Sequence, residues 1–149
     1  MSAQRVRTAA RLASVAAFRD AQARQELAVA RRERDEARAA VEEAERAMVW
    51  IEQRRQLELE KSRVDSVICA WLDEVRVVAA SALAARESLS SHADERERRA
   101  ASLWRDAHVR QEGTAARAEA IFTAHVSEQD ARIAARATET WLALARGQA

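Results

Sequence analysis

ASVAAFRDAQARQELAVARRERDEARAAVEEAERAMVWI, residues 13–51, is the stretch from which the fold is read. Every seventh residue from Ala13 gives Asp20, Leu27, Arg34, Val41, Met48 and, just beyond, Arg55. A second series three residues on gives Ala16, Ala23, Ala30, Ala37, Ala44 and Ile51. Alternating spacings of three and four mark one stripe of an α-helix, and a sustained seven-residue repeat marks a coiled coil. Five alanines at seven-residue intervals in one seam position describe an interface where two helix backbones come close. Charges of both signs fill the positions between, as a solvated helix exterior requires. Residues branched at Cβ are sparse up to residue 64, so helix propensity agrees with the pattern.

Composition says the same of the whole chain. Of 149 residues, 37 are Ala and 24 are Arg, Gly occurs twice, and Pro, Asn and Tyr are absent. So few turn-formers exclude an all-β fold, and the lack of glycine-rich loops excludes a dinucleotide-type α/β fold. Alanine supplies about half of the apolar residues, which leaves enough larger side chains for a narrow seam but not for a thick core. With 25 basic and 24 acidic residues the net charge is +1, without the excess positive charge of a nucleic-acid binder. Arginine in place of lysine is what a GC-rich genome produces. Cys69 stands alone, so no internal disulfide is expected. Val64 to Ala85 is the most apolar stretch, but Asp65, Asp73, Glu74 and Arg76 interrupt it, and a span needs about 18 apolar residues. A soluble protein is expected.

Residues 1–19 carry Arg5, Arg7, Arg11 and Arg19 without an acid, with Leu12, Val15 and Phe18 at helical spacing among them. A mitochondrial presequence has this look, but the helical pattern runs on through Asp20, so a basic start to the first helix is the expected reading. Further along, Val64, Ile68, Trp71, Val75, Val78, Ala82, Ala85 and Leu89 form the strongest apolar stripe, which ends where His92, Arg96 and Arg99 would continue it. A new stripe begins at Leu103 and Trp104 and reaches Trp141 and Leu144. Between the two, Ser88–Asp94 is the preferred turn, with Ser91 and Asp94 spaced like a capping box; the rival is at Lys61–Ser62. The expected fold is therefore an all-α, long antiparallel two-helix coiled-coil hairpin forming one domain over 1–149. Helix 1 spans about 4–87, the turn about 88–93, and helix 2 about 94–146. Residues 1 to about 30 would then overhang, and Gly113–Thr114 marks a local weakness or kink in helix 2.

No constellation for catalysis, cofactor binding or metal binding is legible, and an enzyme is not expected. His92, His108 and His125 lie too far apart for a helical metal site, and Cys69 lacks a positioned histidine. Arg31–Arg32, Arg54–Arg55 and Arg96–Arg99 are each flanked by acids, as on a solvated face. Trp50, Trp71, Trp104 and Trp141 are divided between seam packing and partner contact, the first being favoured.

The stretch ARLASVAAFRDAQARQELAVARRERDEARAAVEEAER, residues 10–46, resembles the opening of FliJ/YscO-type proteins of flagellar, Hrp and other type III secretion systems. Chain length and the two-helix layout agree with it. The resemblance implies a cytoplasmic coiled-coil stalk, peripheral to an inner-membrane secretion complex, that docks on the hexameric export ATPase and couples it to the export gate. It implies export chaperones as further partners, and no catalytic residues. For partner contact the residues themselves single out the expected overhang, Arg5, Arg7, Arg11, Leu12, Val15 and Phe18, a basic amphipathic segment. Two other readings stand beside it: a self-associating scaffold, forming a homodimer through its apolar stripes, and a phasin-like or membrane-surface helical protein.

Overall fold

The computed structural model describes residues 2–148, which form two α-helices and no strand. Helix α1 is Ala3–Leu59 and helix α2 is Ser66–Gly147. The chain is an all-α helical hairpin, as the sequence predicts. Its helices run antiparallel: Arg38 pairs with Asp94 at 3.0 Å, and Arg55, further along α1, pairs with Asp73, further back on α2, at 2.9 Å.

The turn is not at 88–93. That segment lies inside α2, and residues 60–65 make the connection, close to the rival position at Lys61–Ser62. Helix 1 therefore ends near 59 rather than 87, and helix 2 begins near 66 rather than 94. Asp65 is the physical reason. Its Oδ1 accepts hydrogen bonds from the backbone N–H of Val67 at 2.9 Å and Ile68 at 3.3 Å, satisfying two of the donors that a helix start leaves free. Ser2 does the same for α1, accepting from Arg5 N–H at 3.4 Å. At Ser88–Asp94 nothing needs a cap: Ala93 is buried between the helices and Asp94 is engaged by Arg38. Gly113–Thr114 does not interrupt α2 either; the Thr114 hydroxyl donates to the Arg110 carbonyl at 2.9 Å.

Packing divides the chain into two units: Arg24–Ser102, which contains the turn, and Met1–Ala23 with Leu103–Ala149. In the turn unit, Leu27, Ala30, Ala44 and Ile51 of α1 are buried, with Arg34, Ala37, Val41, Met48 and Arg55 half-buried between them. This is the seam that the seven-residue repeat predicts. On α2 the seam consists of Leu72, Ala79, Leu83, Arg86, Ser90, Ala93 and Glu97, with Leu72 fully buried. The apolar stripe read from the sequence is displaced from it by one residue. Val64, Ile68, Trp71, Val78 and Leu89 are exposed, and Val75 is half-buried. This rotation of α2 lets Glu97 reach Arg34 at 3.5 Å and Asp73 reach Arg55.

In the second unit, Val6, Ala9, Ala13, Ala16 and Ala23 are half-buried and Asp20 is buried. Trp104, Ala107, Gln111, Thr114, Ala118, Ile121 and His125 supply the α2 side of the seam. The N-terminal segment is thus paired and does not overhang. With 57 residues in α1 and 82 in α2, the excess lies at the other end, and every described residue from 126 onward is exposed.

Candidate interaction surfaces

In the unit built from both chain ends, the residues predicted for partner contact lie on the outside of a paired helix. Arg5, Arg7 and Arg11 are exposed, as are Leu12, Val15 and Phe18, the last with 69 % of its surface free. Leu12, Val15 and Arg19 line a shallow groove with Ala107, Arg110 and Thr114 of α2. Phe18 is not part of that groove; it points away from the seam and is the apolar side chain of this segment most open to solvent. On α2, Ile133, Trp141, Leu142 and Leu144 are all exposed with no helix beside them in the seam register.

The seam of this unit contains a polar cluster that the sequence did not disclose. His108 Nδ1 lies 3.2 Å from Asp20 Oδ1, and His108 Nε2 lies 3.5 Å from Glu112 Oε1. Trp104 stacks on the imidazole with ring centres 5.3 Å apart. The spacing of His108 and Glu112 is visible in the sequence, but Asp20 is 88 residues away and only the correct turn brings it there. Among the described residues no group of three His, Cys, Asp or Glu side chains gathers as metal ligands would. Cys69 is a free, half-buried thiol.

The turn unit has two unlike flanks, distinguished by a simple register rule. Residues that follow a seam residue by one position lie on one flank, and those that precede it lie on the other. The following flank is charged: Arg38 meets Asp94, and Arg31 meets the seam residue Glu97 at 3.5 Å. Glu52 on the same flank reaches Arg76 at 3.7 Å. Away from the turn the preceding flank pairs Glu33 with Arg96 at 3.7 Å, and its α1 side also carries Glu43 and Arg54. Nearer the turn it presents Trp50 and Leu57 from α1, and Ile68, Trp71, Val78, Ala82, Ala85 and Leu89 from α2. These are exposed, Trp71 at 55 % and Val78 at 69 %. Nine consecutive α2 residues, 77–85, bear no charge in a chain where a third of residues do. Three of the four tryptophans, Trp50, Trp71 and Trp141, thus face outward, and Trp104 alone packs in a seam.

No helix among the described residues is long and apolar enough to cross a membrane. No protein-family model, curated protein or solved structure matches this chain.

Proposed function

We propose that the chain is a non-enzymatic coiled-coil stalk of a type III secretion or flagellar export apparatus, which docks on the hexameric export ATPase and couples it to the export gate. The observation that carries this reading is the surface of the unit built from the two chain ends. Arg5, Arg7 and Arg11 stand beside exposed Leu12, Val15 and Phe18, and the exposed end of α2 adds Ile133, Trp141 and Leu144. Aromatic and arginine side chains left in water are those that anchor protein–protein interfaces. The resemblance of residues 10–46 to FliJ/YscO-type proteins supplies the identity of the ring.

The test is ATP turnover by the cognate export ATPase, titrated with this protein across the concentration range in which the ATPase assembles. Stimulation saturating near one chain per hexamer is expected, and the triple substitution Arg5→Glu, Arg7→Glu, Arg11→Glu should weaken it at least tenfold. A helical, folded sample that neither binds nor alters turnover overturns the stalk reading and leaves a self-associating scaffold in its place.

A further inference from the structure

On the preceding flank of the turn unit, α2 carries an uncharged stripe with the spacing of a coiled-coil seam. Ile68, Trp71, Val75, Val78, Ala82, Ala85 and Leu89 repeat at alternating spacings of three and four, the geometry that one helix offers to another. We propose that its occupant is a second copy of this chain, docked antiparallel about a two-fold axis near residues 76–77 of α2. This proposal is independent of the export reading.

Three features favour a second copy over a different partner. The first is volume. The stripe is graded along the chain, bulky at Val64, Ile68 and Trp71 and small at Ala82 and Ala85 before ending in Leu89. Reversing one copy against the other sets the two bulkiest side chains of the helical stripe opposite alanines. Trp71 meets Ala82 of the second copy and Ile68 meets its Ala85, while Val75 meets Val78 at the centre. A parallel arrangement would put indole on indole and alanine on alanine. Surfaces that complement themselves under a two-fold rotation are what isologous dimers are made of.

The second feature is charge. In this register Glu74, on the outer side of the stripe, falls opposite Ser81 of the second copy, so no like charges confront one another along the two α2 stripes. The opposite flank, with Arg38–Asp94 and Arg55–Asp73 already satisfied within the chain, offers no comparable opening. The third is area. Trp50, Leu57, Ile68, Trp71, Val78 and Leu89 stay between 40 % and 69 % exposed. At the sizes of such side chains this leaves roughly 700 Å² per copy in water. Two copies would bury about 1,400 Å², inside the range of stable specific interfaces.

The full-length chain should sediment as a dimer at tens of micromolar and dissociate on dilution. Ala82→Glu, at a position exposed in the single chain, should raise the dimer dissociation constant at least tenfold without loss of helical circular dichroism. Trp71→Arg should do the same. Combining the two in one chain should recover association, because the antiparallel register sets position 82 of one copy against position 71 of the other. A chain that stays monomeric at 200 µM, or association that Ala82→Glu leaves unchanged, overturns the proposal. Two single variants that weaken the dimer and a double variant that fails to restore it overturn the antiparallel register.

Discussion

Leu72 and Val78 are apolar residues six positions apart on one helix, yet the first is fully buried and the second is 69 % exposed. Reading the sequence by hydrophobicity alone puts Val78 in the seam and leaves Leu72 out. The structure reverses both because the partner strip on α1 is thin, and a thin strip selects for fit and for charge partners before it selects for bulk. The reversal can be measured. Leu72→Ala should lower the free energy of unfolding by about 2–4 kcal/mol, since a buried leucine is removed and the gap cannot fully close. Val78→Ala, in dilute solution where copies stay apart, should change it by no more than about 0.5 kcal/mol, as surface substitutions do. Urea titration followed by circular dichroism gives both values, and equal losses would place Val78 in the seam after all. The α1 side of the same seam, from Ala13 to Arg55, was legible to the residue. There the repeat is a pattern of small side chains among charges, with no rival apolar stripe to mislead the reading.

For whole helices the informative feature is a single carboxylate. The hairpin, its antiparallel sense and its lack of strands follow from composition and periodicity. The turn does not, because the connection of residues 60–65 uses neither glycine nor proline, and no described non-glycine residue adopts positive φ. Punctuation of that kind is invisible to a search for turn-formers. Asp65 marks the place only through the backbone N–H groups it accepts from. Asp65→Ala should therefore cost about 1 kcal/mol and Asp65→Asn much less, since asparagine caps nearly as well. The shift in thermal midpoint between the two variants checks this. A misplaced turn also propagates. Placing it at 88–93 instead of 60–65, 28 residues late, converts a paired N-terminus into an overhang and hides the meeting of Asp20 with His108.

In the molecule as a whole, the exposed end of α2 contributes nothing to the seam. Deleting residues 127–149 should leave the urea midpoint of the remaining chain within about 0.3 M of the full-length value, while the stimulation of ATPase turnover described above is lost. A large fall in the midpoint would show that this end is held by contacts within the fold. The seam itself has a further property. Ala30 and Ala37 on α1, and Ala93 and Ala100 on α2, repeat at the same seven-residue interval, so at these turns sliding one helix past the other by two turns would exchange alanine for alanine. The larger seam residues Leu27, Ile51 and Leu72 lie elsewhere, and at the alanines shape does not tell one alignment from the next. Arg34 against Glu97, Arg38 against Asp94 and Arg55 against Asp73 do, and each of these contacts would be broken by such a slip. Along the alanine turns the alignment of the two helices is thus written in charge and not in bulk, so dissolved salt, which screens charge and spares packing, becomes a variable that governs how firmly the helices hold their places.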